Sequence, residues 1–166
     1  MPTKDNLQEA FAGESQANRK YLAFAKKAES EGFPQVAKLF RAAADAETVH
    51  AHAHLRAMGG IKDTAANLAA AVEGENHEAT SMYPKFLAEA EAEKNQAAVI
   101  SFRNALAVEK VHRALYTQAL ETHKAGKDLA AKPIFVCDVC GNTVPGAAPD
   151  TCPVCGAAKS RFFEVE

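Results

Sequence analysis

Residues 21–50 read YLAFAKKAESEGFPQVAKLFRAAADAETVH, and residues 83–112 read YPKFLAEAEAEKNQAAVISFRNALAVEKVH. Laid over one another with a shift of 62 residues and no gap, eleven of these thirty positions are identical. The matches include Tyr21 with Tyr83, Phe24 with Phe86, Glu31 with Glu93 and Phe40 with Phe102. They continue with Arg41 and Arg103, Glu47 and Glu109, and His50 and His112. Both copies are rich in Ala and poor in the β-branched clusters that strands prefer, so each reads as helix. A duplicated helical hairpin therefore sets the fold class. Two such hairpins are expected to face each other across a pseudo-two-fold axis, with residues at matched inward positions meeting at the centre.

Punctuation outside the repeat extends the reading. The first helix runs from about Thr3, a candidate N-cap, to Glu31 and stops at Gly32. The second opens with Pro34, which suits a first helical turn, and ends before Gly59-Gly60. The third follows Asp63-Thr64 to about Lys94, and the fourth runs from near Gln96 to His123, before Gly126. Each is roughly 25 residues, or roughly 38 Å, long. The short turns make each consecutive pair antiparallel, which gives an all-α four-helix bundle. Pro84 lies inside the third segment and removes one backbone hydrogen bond. It reads either as a break between two shorter helices or as a kink beside a site.

The remaining composition narrows the function. The 166 residues are 48% hydrophobic and 24% charged, with a net charge of −2 and no basic stripe. Nucleic acid is not an expected partner. No run of eighteen apolar residues suggests a membrane span, and Met1 to Gln8 lack the apolar core of a signal peptide, so a cytoplasmic location is expected. All four cysteines lie in the last thirty residues, which favours metal ligation over disulfides in a reducing compartment. The break in composition places a bundle domain at 1–130 and a small metal module at 131–166.

Glu47-x-x-His50 and Glu109-x-x-His112 each put a carboxylate and an imidazole on one helix face. Burying such pairs is costly unless a cation neutralises them, and two metal ions do so. Further carboxylates come from Glu14, seven residues before Tyr21, and from Glu75 and Glu78, eight and five before Tyr83. This is the ligand pattern of ferritin-like di-iron bundles. The repeat falters here, because Glu14 shifted by 62 lands on Asn76, between Glu75 and Glu78. Seven ligands for two metals let one detach when the oxidation state changes. Of the other histidines, His52 faces away, His54 lies one turn beyond His50 on the same stripe, and His77 and His123 are left outside the site.

Cys137-Asp-Val-Cys140-Gly and Cys152-Pro-Val-Cys155-Gly form two knuckles eleven residues apart. Four thiolates in this pattern make a tetrahedral site for iron or zinc. The glycine after each knuckle lets amide hydrogens aim at sulfur. Ile134, Phe135, Phe162 and Phe163 supply a small core, and their stretches are expected to form short antiparallel strands.

Taken together, the sequence resembles the rubrerythrin family over its whole length. The resemblance rests on Gly-Glu14-Ser, Ala-Glu47-Thr-Val-His50, Gly-Glu75-Asn-His-Glu78-Ala-Thr-Ser-Met-Tyr83-Pro, Glu109-Lys-Val-His112 and the rubredoxin-like knuckles. It implies a ferritin-like bundle holding two non-haem irons, and a C-terminal rubredoxin-like module holding one iron on four cysteines. Glu47 and Glu109 would bridge the irons, Glu14 and Glu75 would be terminal ligands, and His112 a fixed one. Glu78 and His50 would exchange at one iron, while Tyr21 and Tyr83 would orient bound peroxide. Tyr21, Tyr83 and Glu78 are the expected proton sources.

The implied activity is reduction of hydrogen peroxide to water, protecting against oxidative stress. No Gly-rich nucleotide loop is present, so electrons are expected from a separate NAD(P)H-dependent reductase or a rubredoxin. A linker of residues 125–133 reaches at most roughly 30 Å. The resemblance implies a head-to-tail homodimer, with hairpin exchange between chains permitted by the loop from Gly59 to Asn67. The alternatives are a ferroxidase or iron-handling protein, and an electron-transfer protein with structural bundle metals. Zinc remains an alternative metal for the cysteines.

Overall fold

A computed structural model describes residues 2–166. They form two compact units, one ending at Lys62 and the other spanning Asp63–Glu166.

The first unit is a helical hairpin, α1 (Pro2–Ser30) and α2 (Pro34–Ala57). Helix α1 already includes Thr3, which was expected to cap it. Between the helices Gly32 takes φ 82°, and the Phe33 amide donates to the Ala28 carbonyl at 2.9 Å, satisfying an end carbonyl of α1. Pro34 then starts α2, where a missing N–H costs nothing. Ala25, Ala28, Ala37, Ala44 and Ala51 are the buried apolar residues of the pair. Such small side chains allow the two backbones close approach.

The second unit starts with α3 (Thr64–His77), whose first turn is capped by Asp63 accepting from the Ala66 amide at 2.8 Å. A π-helical turn, Glu78–Met82, follows, and then α4 (Tyr83–Ala92) and α5 (Gln96–Lys124). The expected single third helix is thus two α segments joined by a wider turn. Pro84 has no N–H to give and sits in the first turn of α4, while the Tyr83 amide reaches back five residues to the Glu78 carbonyl.

The duplication is visible in the packing of each hairpin. The ring centroids of Tyr21, Phe24 and Phe40 lie 5.6–6.4 Å apart, and those of Tyr83, Phe86 and Phe102 lie 5.7–6.3 Å apart. Arg41 pairs with Glu29 at 3.0 Å and Arg103 with Glu91 at 3.5 Å. The turns correspond as well, with Asn95 donating to the Ala90 carbonyl as Phe33 does to that of Ala28. The copies differ at the left-handed position. Where the first hairpin has Gly32, the second has Lys94 at φ 56°.

After α5, three short strands form a sheet in the order β2-β1-β3, with β1 Ile134–Cys137, β2 Thr143–Pro145 and β3 Phe162–Glu164. Both pairings are antiparallel, and Val136 lies opposite Thr143 on one side and Phe163 on the other. The pairing of β1 with β3 is the one expected from the flanking aromatic stretches. Strand β2 carries no signal in the sequence, because three residues between two knuckles are too few to show alternation.

Lys94 pays the steric cost of a left-handed residue, about 1–2 kcal/mol, against a backbone-entropy cost of about 0.5–1 kcal/mol for glycine. Lys94→Gly is therefore expected to stabilise the protein by about 0.5–1 kcal/mol, read as a higher urea midpoint at unchanged m-value.

Candidate metal centres

In the first hairpin, α1 presents Glu14 and α2 presents Glu47 and His50, with one ligand atom of each within 4.8 Å of the others. His50 Nδ1 lies 2.9 Å from Glu47 Oε2, the spacing of three along α2 placing both on one face. Glu47 keeps only 18% of its side chain exposed, whereas His50 keeps 55%. The register of the two helices is held by Asn18, one turn after Glu14. Its buried amide donates to the Ala44 carbonyl at 2.7 Å and to Thr48 Oγ1, beside Glu47, at 2.8 Å.

The second hairpin repeats the arrangement with Glu75 from α3 and Glu109 and His112 from α5. His112 Nδ1 lies 2.8 Å from Glu109 Oε2 and 3.7 Å from Glu75 Oε2. The π-helical turn explains why Glu75, not Asn76, takes the place of Glu14. Tyr83 corresponds to Tyr21 at an offset of 62, but the turn holds one residue more than an α-turn, so upstream of it the offset drops to 61. Asn76 is turned outward and accepts from Arg113 at 3.0 Å.

This cluster is electrostatically loaded. Glu75 Oε2 is buried without a hydrogen-bond partner. Burial, a hydrogen bond shared with Glu109 and repulsion from its charge push the Glu75 carboxyl up to about 7, against partial relief from His112. A buried carboxylate oxygen lacking a donor, facing a second carboxylate and an imidazole nitrogen, is a donor set that a divalent cation satisfies. Glu78 lies outside the three-residue group, at the start of the π-helical turn. Burial and then repulsion from Glu109 raise its carboxyl, opposed by His77 and His112. Tyr83 is raised by burial and by the charges of Glu78, Glu109 and Glu75, so its hydroxyl keeps its proton. Tyr21 packs in the matching aromatic trio of the first hairpin. His52 and His77 are exposed and His54 is half-buried.

The four cysteines converge as a third group. Cys137 and Cys155 sulfurs are 3.7 Å apart, and Cys140 and Cys152 sulfurs 3.6 Å. A disulfide needs about 2.05 Å, whereas a tetrahedron with metal–sulfur bonds of about 2.3 Å has edges of about 3.8 Å. The separations fit a metal. Gly141 and Gly156 take φ 84° and 76°, and their amides donate to the Cys137 and Cys152 carbonyls at 2.8 and 2.9 Å. Burial pushes the Cys152 thiol up, but amides of Cys155 and Val154 outweigh it and bring the group to about 7. Cys140 is driven upward by burial despite the Asn142 amide, and Cys155 is also raised by burial. Thiolates crowded in this way need a cation.

Residues 5–120 match the rubrerythrin family, and residues 135–163 match the rubredoxin-like domain of rubrerythrin. The chain belongs to the rubrerythrin family. It is 33% identical to rubrerythrin-2 of Clostridium acetobutylicum, over 96% of this chain and 95% of that protein. It is 36% identical to nigerythrin of Nitratidesulfovibrio vulgaris, over 96% of this chain and 85% of that one. A structure of fully reduced, all-ferrous nigerythrin superposes with a TM-score of 0.59 at 32% identity, covering 98% of this chain and 86% of that chain. The fold is accordingly a ferritin-like helical fold followed by a small rubredoxin-like β module. Its cofactors are those of the family, a di-iron centre and a rubredoxin-like iron site, and the carboxylate–histidine and cysteine groups fit them. Among the described residues, no helix is long and apolar enough to cross a membrane.

Two features escaped the sequence reading. Asn18 lies four residues after Glu14 on its inward stripe, a polar residue where the second hairpin has the buried Ala79. Thr143 of β2 lies 3.0 Å from His112 Nε2 and carried no signal, because that contact joins residues 31 apart.

The raised carboxyl of Glu75 has a consequence in metal-free protein. Its folded value of about 7 exceeds the ordinary 4.5, so its stability contribution is full below about pH 4.5 and is lost as pH rises through 7. Glu75→Gln is expected to match the metal-free wild type in thermal unfolding near the acid end of that window. Above pH 7 the variant should be the more stable of the two.

Proposed function

We propose that this rubrerythrin-family oxidoreductase is a peroxidase that reduces hydrogen peroxide to two waters. The observation that carries the reading is the construction of the second unit. A tetrathiolate module is hydrogen-bonded, through Thr143, to an imidazole of a carboxylate–histidine group. An iron-storage protein needs no electron supply at its carboxylates, and a plain electron carrier needs no second cluster of them.

Peroxide reduction takes two electrons and two protons. Bound iron would supply the two electrons and the Lewis acidity at the carboxylate site, and iron on the four cysteines would supply the means of replacing those electrons. The protein residues then have separable tasks. Glu47 and Glu109 would be the bridging ligands, Glu14 and Glu75 the terminal ones, and His112 the fixed imidazole. His50, more exposed than His112, and Glu78, just outside the donor group, would be the ligands that exchange between oxidation states. Tyr83 and Tyr21 orient peroxide by hydrogen bonds. Glu78 and Tyr83, both raised above their usual values, hold protons close to the carboxylates and deliver them to the departing oxygens.

In this proposal residues 1–130 act as the di-iron domain and 131–166 as the electron-entry domain. A separate NAD(P)H-linked reductase or a rubredoxin supplies the electrons, in the cytoplasm. A head-to-tail homodimer, hairpin-swapped or not, is the working assembly. Large apolar side chains left exposed on the first hairpin, Leu39 at 69% and Val49 at 63%, support association with a further copy.

The test is anaerobic. Iron-loaded, reduced protein is mixed with stoichiometric hydrogen peroxide or with oxygen, and the visible bands of both iron sites are followed. Faster reoxidation by peroxide is expected, and faster reoxidation by oxygen would replace this reading with a ferroxidase. Glu78→Gln should slow peroxide-dependent reoxidation by about 10²-fold, the usual contribution of a positioned acid, without altering the cysteine-iron spectrum.

A further inference from the structure

The two half-sites differ in how their histidines are held. Among the described residues His50 engages only Glu47, through Nδ1. His112 is engaged at both nitrogens, by Glu109 and Glu75 at Nδ1 and by Thr143 Oγ1 at Nε2. The Thr143 hydroxyl donates to the Gly141 carbonyl at 3.1 Å. Its one proton is therefore committed, and toward His112 the oxygen acts as an acceptor. With Nε2 carrying a hydrogen toward that oxygen, Nδ1 is the nitrogen left for a metal beside Glu75 and Glu109.

We infer that Thr143 is a positioning residue for metal binding, a hydroxyl contributed by the cysteine module that sets the tautomer and ring orientation of His112. The inference rests on Glu75, Glu109 and His112 being metal ligands. Metal-binding imidazoles characteristically donate their other N–H to an oxygen acceptor, which fixes the ring and raises its basicity. Here the acceptor is supplied from a different element, and its placement depends on the folded knuckle. Gly141 follows Cys140 directly, and a Cβ built on it would lie 3.8 Å from Val108 on α5. Strand β2 is thus seated on α5 within one turn of His112. Beside the contact a cleft of about 500 Å3 opens, lined by Tyr116, Leu129, Lys132 and Ala130 among others. Water in that cleft is the competitor for Nε2 once the hydroxyl is removed. Assembly of the cysteine module and preparation of one carboxylate half-site are in this way coupled through a single hydrogen bond.

The experiment uses the full chain loaded with zinc(II), which is diamagnetic and redox-silent. Zinc affinity of the carboxylate sites is measured by competition titration after the cysteines are saturated. The His112 Nε2–H resonance is followed by long-range proton–nitrogen NMR at mildly alkaline pH, where free imidazole is neutral. Thr143→Val, nearly isosteric but without an acceptor, should weaken zinc binding at one site by about 10- to 100-fold. It should also lose the exchange-protected Nε2–H signal, while Thr143→Ser should restore both. Unchanged affinity and an unchanged protected signal in Thr143→Val would overturn the inference. Glu109→Gln separates this from failure of the underlying site. If it weakens zinc binding while Thr143→Val does not, only the role of Thr143 falls. If neither variant weakens binding, the metal-ligand reading of this cluster falls with it.

Discussion

Glu75 and Glu109 stand close together, and burial together with the neighbouring Glu109 carboxyl pushes the Glu75 carboxyl up to about 7. Such a pair is best accommodated with a proton or a cation between the oxygens, since Glu75 Oε2 is buried and no donor reaches it. The surrounding architecture follows from keeping that geometry. The Glu-x-x-His spacing puts both donors of one helix on the same face, and alanines at the helix contact bring the facing helix near enough to add its carboxylate. In the first hairpin the same closeness is locked by Asn18, whose amide spans from α1 to α2 beside Glu47.

A duplicated hairpin would by itself make two equivalent half-sites. Besides Asn18, which has Ala79 as its counterpart, two breaks of that symmetry lie in the second copy. A π-helical turn adds one residue between Glu75 and Tyr83, which keeps Glu75 in place and brings Glu78 to the edge of the cluster. The cysteine module then fastens His112 through Thr143, leaving His50 as the more exposed imidazole. A carboxylate at the edge and a loosely held histidine are what the proposed exchange of ligands would use. They arise from one inserted residue and one hydrogen bond, not from any change in the ligand set.

Much of this was legible in the chain. The gapless repeat identified the hairpins, the aromatic trios and the matched Glu and His positions, because helix periodicity ties spacing to face over short distances. The cysteine knuckles were equally plain, since four soft ligands at fixed spacing have few other uses. The faltering register at Asn76 was visible as an anomaly, yet its cause was not. A π-helical turn differs from an α-turn by one backbone hydrogen bond, and no side-chain pattern in Glu78–Met82 marks it.

The sequence by itself determined the two helical hairpins and their order before the cysteine module, and the candidate donors, two Glu-x-x-His pairs and four cysteines, all of which depend on spacings within a few turns. Only the tertiary structure decided the roles that depend on contacts between distant residues. It placed Asn18 across the first hairpin, set Glu75 instead of Asn76 against Glu109, and seated β2 so that Thr143 meets His112. Those contacts join positions 26 to 34 residues apart, and their partners are chosen by packing and by the need to satisfy buried polar atoms, quantities that no local pattern encodes.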